Sequence, residues 1–128
     1  MAFYCLLGLL LGIAWGFTLE EMPNLAGETI LVTGGNVGLG YWTAHHLASS
    51  GATVIIGCRD QEKCSKAATT IEAETGSKKV ITASLDLGSF ASIRACAASL
   101  AEAHSDGLDS LILNAGVMVC IYVCTRSV

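Results

Sequence analysis

The sequence predicts an α/β fold in which a parallel sheet carries helices on both faces. Short apolar runs rich in β-branched residues alternate with segments of helical periodicity, which is the pattern of repeated strand–helix–strand units. A glycine-rich turn at residues 33–40 also joins the first apolar run directly to the first helical segment. The alternation favours a parallel sheet, because parallel neighbours need a long crossover connection that is usually a helix.

The first strand and the first helix flank that turn. Residues 28–33 form a short apolar run that is rich in β-branched residues, as expected for a strand. The helix is expected at residues 38–50, because small or apolar residues recur there at helical spacing. Those positions are Gly40, Ala44, Leu47, Ala48 and Gly51.

The remaining elements continue the alternation. They are a strand at residues 52–58, a helix at 61–75, a strand at 79–86, a helix at 90–104 and a strand at 108–114. Helical spacing predicts one packed face for each of these two helices: Cys64, Ala67, Ala68 and Ile71 in the first of them, and Phe90, Ile93, Ala97, Leu100 and Ala101 in the second. The run Val54-Ile55-Ile56 is typical of a strand that is buried on both faces. Gly76 and Gly107 follow the second and third helices, where glycine commonly ends a helix. We therefore expect four strands and three helices.

The composition excludes some classes of function. The chain has 128 residues, of which 14% are charged, against about 25% in a typical soluble domain. The formal net charge is −4 and the basic residues are scattered, so nothing favours a nucleic-acid interface. The six cysteines include no Cys-x-x-Cys pair, and the three histidines lack a zinc-like spacing. We expect no metal site, and reduced, structural cysteines rather than a disulfide framework.

The N-terminal segment is expected to form a hydrophobic helix. Residues 1–19 carry no charged side chain and approach the shortest length that spans a membrane, so they fit either an anchor or a cleaved signal peptide. Gly8, Gly12 and Gly16 share one helical face and would let two such helices approach as a homodimer, although glycines are frequent in such segments. The expected divisions are 1–19 for this segment, 20–25 for a linker, 26–116 for the folded domain and 117–128 for a divergent tail.

The glycine-rich turn predicts a dinucleotide site. Glycines between a strand and a helix allow a tight turn and let a pyrophosphate approach the backbone. The helix N-terminus then offers free N–H groups and the positive end of its dipole to that anion. The residues expected to contact the cofactor are Thr33, Gly34, Asn36, Val37, Gly38, Leu39 and Gly40. The alternative is a turn whose packing requires small residues and which binds nothing.

The end of the second strand indicates which dinucleotide is bound. At this point a carboxylate can bind the 2′-hydroxyl of the adenosine ribose, whereas an arginine accommodates a 2′-phosphate. Arg59 and Asp60 are both present, and Arg59 comes first. A guanidinium can hold a phosphate with two parallel hydrogen bonds, so we expect NADP(H) rather than NAD(H). The alternative is that Asp60 caps the second helix and Arg59 is merely solvated.

Four motifs in this order resemble the short-chain dehydrogenase/reductase family. They are the threonine-led turn at residues 33–40, Gly-Cys-Arg-Asp at 57–60, Asp-Leu at 86–87 and Asn-Ala-Gly at 114–116. Together with the hydrophobic N-terminus, the chain is most similar to the membrane-associated, retinol dehydrogenase-like members. The resemblance implies an incomplete Rossmann-type sheet of strand order 3-2-1-4. It also implies attachment to an endomembrane such as the endoplasmic reticulum, with secretion after signal cleavage as the alternative.

The resemblance assigns roles to the later motifs. Asp86, with Leu87, would face the edge of the adenine ring, where a carboxylate can accept from the exocyclic amine. The alternative for Asp86 is the N-cap of the third helix. Asn114, Ala115 and Gly116 would form the wall beside the cofactor ribose. These residues complete the set that we expect to bind the cofactor.

The resemblance implies hydride transfer between NADP(H) and a small carbonyl or alcohol. The family's catalytic Tyr-x-x-x-Lys pair does not occur in the sequence, where Tyr122 is followed by Arg126. We therefore expect no catalytic residue here, and a truncated or mis-spliced form that keeps the cofactor-binding half of a longer oxidoreductase. The alternatives are a non-catalytic, membrane-tethered nucleotide-binding module and a methyl-donor-dependent transferase.

Overall fold

The computed structural model describes residues 18–116 and contains one parallel sheet with three helices. The strands are β1 (Thr29–Thr33), β2 (Thr53–Cys58), β3 (Val80–Ser84) and β4 (Ser110–Ile112). The helices are α1 (Gly38–Ser49), α2 (Gln61–Thr75) and α3 (Phe90–Ala103). The spatial order of the strands is β3-β2-β1-β4 and every pairing is parallel, which confirms the predicted Rossmann-type topology.

The strand order places β1 in the interior of the sheet. Ile30 pairs with Val54 of β2 on one side and with Ser110 of β4 on the other. The chain then crosses over the sheet through α3 to reach β4 from β3. Strands β2 and β3 are added on one side of β1, and β4 is then added on its other side, so the strand order reverses between β1 and β4. Ligands of open α/β sheets bind beside such a reversal, at the carboxyl ends of the strands.

The main core lies between the sheet and the first two helices. Alternate strand side chains point to this face, and Val32, Val54 and Ile56 are fully buried there. The helices contribute small residues, such as Ala44 of α1, and Ile71 of α2. All four residues predicted for the packed face of α2 are buried, namely Cys64, Ala67, Ala68 and Ile71.

Helix α3 covers part of the opposite face, so helices occupy both faces as predicted. Leu31, which alternates with Ile30 and Val32, lines an apolar groove with Cys96 and Leu100 of α3. Cys96 is the one buried residue of α3, and its burial raises the pKa of the thiol. Phe90 was expected on the packed face but is 79% exposed, because it occupies the first position of the helix.

Cys58 and Cys64 lie side by side where β2 meets α2, close enough for a disulfide, whereas reduced cysteines were expected. Cys58 ends β2 and Cys64 lies near the start of α2, and the turn between them brings their Cα atoms to 6.2 Å. That separation lies within the ordinary range for a disulfide.

The described chain begins just before β1 and ends just after β4. A 3-10 helix at Leu19–Glu21 precedes β1, and no helix within residues 18–116 is long and apolar enough to cross a membrane. The predicted glycine face at residues 8–16 and the tail at 117–128 lie outside the described residues, as does all of the N-terminal segment before Thr18.

Candidate functional site

A cleft lies at the carboxyl ends of the four strands. Its volume is about 860 Å³, which falls in the usual range for small-molecule and cofactor sites. Every residue predicted to bind the cofactor lines it except Gly38: Thr33, Gly34, Asn36, Val37, Leu39, Gly40, Arg59, Asp60, Asp86, Leu87, Asn114, Ala115 and Gly116. The fold thus brings together motifs that are as far apart in sequence as residues 33 and 116.

The glycine-rich turn forms the floor of the cleft. It begins where Gly34 donates its backbone N–H to the carbonyl of Gly57, at 2.7 Å, so the turn is held against the end of β2. Helix α1 begins at Gly38, and Val37 before it has no side-chain oxygen that could cap the first turn. The first N–H groups of α1 therefore lack a side-chain acceptor, which is the arrangement that binds an anion at a helix N-terminus.

Two glycines of the turn are required for different reasons. A Cβ atom at Gly40 would meet Asn114 Nδ2 and the carbonyl oxygen of Gly34, so only glycine lets α1 begin this close to the strand ends. Gly38 has a φ of +58°, and a Cβ atom there would meet nothing within 4 Å. Its conformation favours glycine, and the space beside it is open.

Thr33 and Asn114 connect the carboxyl ends of β1 and β4. The Thr33 hydroxyl accepts from the backbone N–H groups of Asn114 and Ala115, both at 3.0 Å. The Asn114 amide in turn donates to the carbonyl oxygen of Thr33, at 3.0 Å. The asparagine side chain is thus used to position the turn, while Ala115 and Gly116 remain exposed beside the cleft.

Arg59 and Asp60 differ in how they are held. Asp60 is the N-cap of α2, where Oδ1 accepts from the backbone N–H of Lys63 at 3.2 Å. Lys63 also places its ammonium 3.3 Å from Asp60 Oδ2, and both contacts, the backbone hydrogen bond first, hold the pKa of the Asp60 carboxyl below its usual range. Arg59 is exposed at the mouth of the cleft and has no ion-pair partner within residues 18–116.

Asp86 lies at the far end of the cleft. Its Oδ1 accepts from the backbone N–H of Gly88 at 2.9 Å. The N-cap of α3 is Ser89, which accepts from the backbone N–H of Ser92 at 3.3 Å, so the alternative role of Asp86 as that cap is wrong. Asp86 instead closes a local turn beside Leu87 in the cleft wall.

Lys63 and Gln61 contribute to this end of the sheet but were not predicted from the sequence. Lys63 lines the cleft from the first turn of α2. Gln61 donates its amide to the carbonyl oxygens of Cys58 and Ala83, at 2.9 and 3.4 Å, and so holds the ends of β2 and β3 together. The signal for Lys63 was its position three residues after Asp60, which places both side chains on one side of a helix start.

Comparisons with known proteins agree with this geometry. The family model described as short chain dehydrogenase matches residues 28–125. Human Retinol dehydrogenase 13 is 44% identical over 105 residues, which are 82% of this chain and 31% of that protein. The chain therefore spans about a third of the length of this relative.

Solved structures of the same architecture superpose on the chain. The N-domain of a bacterial malonyl-CoA reductase with NADP has a TM-score of 0.70 and 33% identity, covering 75% of this chain and 18% of that one. The RhlG/NADP active-site complex from Pseudomonas aeruginosa has a TM-score of 0.69 and 36% identity, covering 84% and 41%. With a family model that matches most of its length and a retinol dehydrogenase relative at 44% identity, this chain belongs to the short-chain dehydrogenase/reductase family.

Proposed function

We propose that residues 26–116 bind NADP(H) as the cofactor-binding half of an oxidoreductase that acts on a carbonyl or alcohol. The observation that carries the proposal is the cleft where four strand ends meet the uncapped N-terminus of α1. Anion-binding N–H groups, an unpaired arginine and a carboxylate all face one cavity, in the order that a dinucleotide requires. When bound, the cofactor supplies the hydride, and the protein supplies position and electrostatics.

The binding roles follow from the character of each part of the cleft. Gly34, Gly38 and Gly40 would hold the pyrophosphate against the start of α1, because none of them places a side chain there. Asp86 would accept from the adenine amine, since its Oδ2 receives no hydrogen bond from residues 18–116. The backbone of residues 114–116 would form the ribose wall, because the Asn114 amide is already used within the fold.

The cofactor preference rests on Arg59. Its guanidinium is exposed at the cleft and unpaired within residues 18–116, so it is free to hold a phosphate. Both superposed structures described above are NADP complexes. The Asp60 carboxylate is engaged by Lys63, which leaves it less available to the ribose hydroxyls of NAD(H). These features favour NADP(H).

We propose that these 128 residues bind the cofactor without reducing a carbonyl substrate. No Tyr-x-x-x-Lys pair occurs in the sequence. The described tyrosine, Tyr41, donates its hydroxyl to Glu74 Oε2 at 2.9 Å, away from the cleft. Burial, and next the hydrogen bond to Glu74, raise the pKa of Tyr41, which is opposite to what a tyrosine acting as a base requires.

A second candidate is a nucleotide-binding module without catalysis, which the same cleft and the uncapped N-terminus of α1 would also serve. Its membrane attachment would come from residues 1–19. In both candidates the chain would meet an endomembrane, and the small carbonyl or alcohol would be a substrate only of a longer oxidoreductase. Sequencing the transcript beyond the codon of Val128 separates them, because a Tyr-x-x-x-Lys segment in frame supports only the first.

Cofactor binding is tested by titrating the full chain, in detergent micelles, with NADPH and NADH. We expect NADPH to bind more tightly than NADH, and S-adenosylmethionine not to compete. Arg59→Met should weaken NADPH binding about tenfold through the lost charge-assisted hydrogen bonds. Arg94→Met is the matched control, because Arg94 lies on α3 outside the cleft and its loss should leave binding unchanged. A chain that binds neither nucleotide would overturn the proposal.

A further inference from the structure

We propose that Cys58 and Cys64 form a reversible redox pair whose access to small oxidants is controlled by occupancy of the cleft. The pair lies where β2 ends and α2 begins, and its Cα atoms are 6.2 Å apart. Its control by a ligand rests on the proposed function, because that ligand is the dinucleotide. The pair is thus a site of covalent modification that is reactive in the empty protein and protected in the loaded one.

The surroundings of the pair suit the reduced state as well as the disulfide. As a thiol, Cys58 Sγ donates to the carbonyl oxygen of Asp60 at 3.3 Å. Cys64 Sγ donates to the carbonyl oxygen of Ile56 at 3.4 Å. A bond between the two sulfurs needs no backbone movement, because only Cα separations above about 7 Å require one. The same backbone therefore accommodates both states, which is the requirement for reversible oxidation.

The two cysteines differ in how solvent reaches them. Cys58 lines the cleft and is 6% exposed, whereas Cys64 is fully buried between α2 and the sheet. A cysteine reacts as its thiolate, and only where a reagent can approach the sulfur. Cys58 is therefore the residue that reacts with a reagent from solution, and Cys64 reacts only with Cys58.

The bond forms by exchange with a small disulfide, such as oxidised glutathione. The Cys58 thiolate attacks one sulfur of the reagent and releases the first reduced thiol, which leaves a mixed disulfide on Cys58. The Cys64 thiolate then attacks the Cys58 sulfur and releases the second reduced thiol. Two electrons pass from the cysteine pair to the reagent, and the two protons of the cysteine thiols are taken up by the released thiols.

A bound dinucleotide should cover the route to Cys58. Arg59 and Asp60, which follow it directly, line the same cleft, so a ligand that contacts them also fills the space beside Cys58. Such a ligand excludes a reagent as large as oxidised glutathione. Cys96 provides a comparison, because it is 8% exposed but lines the apolar groove beside α3 and not the cleft. The reactivity of Cys96 should therefore be independent of the nucleotide.

The test follows disulfide formation in the full chain, in detergent micelles, after reduction and removal of the reductant. Oxidised glutathione is added with or without NADP⁺, which cannot itself reduce a disulfide, and the products are identified by mass spectrometry. Proteolysis after Arg59 and Lys63 leaves the two cysteines on separate peptides unless a disulfide joins them. At about ten times its dissociation constant, NADP⁺ leaves about one chain in ten empty. Disulfide formation should therefore slow about tenfold, with modification of Cys96 unchanged.

Two variants test the order of the reaction. Cys64→Ala should stop at the mixed disulfide on Cys58, whereas Cys58→Ala should leave the buried Cys64 unmodified. Cys64→Ser keeps a donor for the Ile56 carbonyl and should behave as C64A does, so it replaces C64A if the alanine variant unfolds. The melting temperature of each variant shows whether it is folded. Modification of Cys64 in a folded C58A chain would contradict the assignment of Cys58 as the residue that reacts first.

The outcomes separate this inference from the proposed function. Mixed disulfides without a bond between Cys58 and Cys64 would overturn the redox pair. Equal rates of disulfide formation in the empty chain and in the chain loaded with NADP⁺ would overturn its control by the cleft. Both results leave the proposed cofactor site standing. If the chain binds neither NADP⁺ nor NAD⁺, the proposed function fails, and disulfide formation in the empty chain still decides whether the pair exists.

Discussion

Gly38 and Gly40 of the turn before α1 show how neighbouring glycines can be constrained differently. At Gly40 the missing Cβ makes room for backbone and amide atoms of two other segments, so the constraint is one of packing. At Gly38 the surrounding space is open and the constraint is the φ of +58°. Gly40 is therefore required by packing, and Gly38 by its backbone conformation at the start of α1.

Alanine substitution should separate these two constraints. Gly40→Ala should lower the free energy of unfolding by about 3 kcal/mol, because neither the Gly34 carbonyl nor Asn114 can move without disturbing the turn. Gly38→Ala should cost about 1 kcal/mol of stability but weaken NADPH binding about tenfold, because strain at the first residue of α1 would disturb the N–H groups that we expect to receive the pyrophosphate. Denaturant unfolding and NADPH titration measure the two effects.

Gly76→Ala is the control for G38A. Gly76 ends α2 with a φ of +72° and lies outside the cleft, and a methyl group there would meet no atom within 4 Å. The variant should therefore show similar strain with unchanged NADPH affinity. Equal loss of affinity in G38A and G76A would show that the effect at Gly38 is a general loss of stability.

Asp60 should make the stability of the folded chain depend on pH. Hydrogen bonding to Lys63 lowers the folded-state pKa of Asp60, so its stabilisation is present above the unfolded-state pKa of about 3.9 and is lost as pH falls through the lower folded-state value. Asp60→Ala should lower the melting temperature at neutral pH, and the difference from the unsubstituted chain should shrink in acid. Asp60→Asn keeps a capping oxygen without the charge and should lie between the two. A difference that stays constant with pH would contradict the role of the carboxylate charge.

The contact between β1 and β4 shows how an element is positioned by side chains. Strand β4 is short, Ser110–Ile112, and pairs with β1 alone within the described sheet. Beyond Ile112 the ladder of backbone hydrogen bonds ends, and the Thr33 hydroxyl accepts from the backbone N–H groups of Asn114 and Ala115 instead. This substitution of a side chain for a strand partner explains why β4 ends before the predicted residue 114.

Replacing the Thr33 hydroxyl should loosen this end of the sheet. Thr33→Val keeps the shape of the side chain but removes the acceptor of the Ala115 N–H and one of the two acceptors of the Asn114 N–H, which also donates to the Ile112 carbonyl, at a cost of about 1 kcal/mol in unfolding free energy. Hydrogen exchange at those two amides should accelerate. Thr69→Val on the exposed side of α2 removes a hydroxyl that bonds only within the helix, and should change little. Equal effects in both variants would show that the connection between β1 and β4 is unimportant.

The helices differ in how well sequence predicts their buried faces. All four residues predicted for the packed face of α2 are buried, because that helix lies over the neighbouring strands β2 and β3. The stripe of α3 was predicted with equal regularity, yet Ile93 and Leu100 are only half-buried and Cys96 alone is buried. Periodicity identifies the face that a helix presents, whereas the extent of burial depends on how much sheet lies beneath it.

The cleft as a whole was predictable where its parts are contiguous motifs. Each of three motifs can be recognised from a contiguous stretch of sequence: the glycine turn, Arg59 and residues 114–116. Parallel strands then bring them to one edge of the sheet. The position of Lys63 and the proximity of Cys64 to Cys58 were not predicted, because both depend on how the start of α2 folds back against β2. For Asp60 the sequence offered two roles, and the structure places its carboxylate at the helix cap.

Binding at this edge should stabilise the entire sheet. The cleft is lined by residues that follow each of the four strands, so a nucleotide would contact the folded arrangement and not the unfolded chain. At a hundredfold excess over its dissociation constant, NADPH should add about 2.7 kcal/mol to the free energy of unfolding. The melting temperature should rise with the logarithm of NADPH concentration, with NADH requiring higher concentrations for the same rise. The backbone amides that follow β1, β2, β3 and β4 should all become more protected from hydrogen exchange when NADPH binds. Protection confined to the glycine turn would mean that the ligand binds only the start of α1, and that the distant strand ends take no part in recognition.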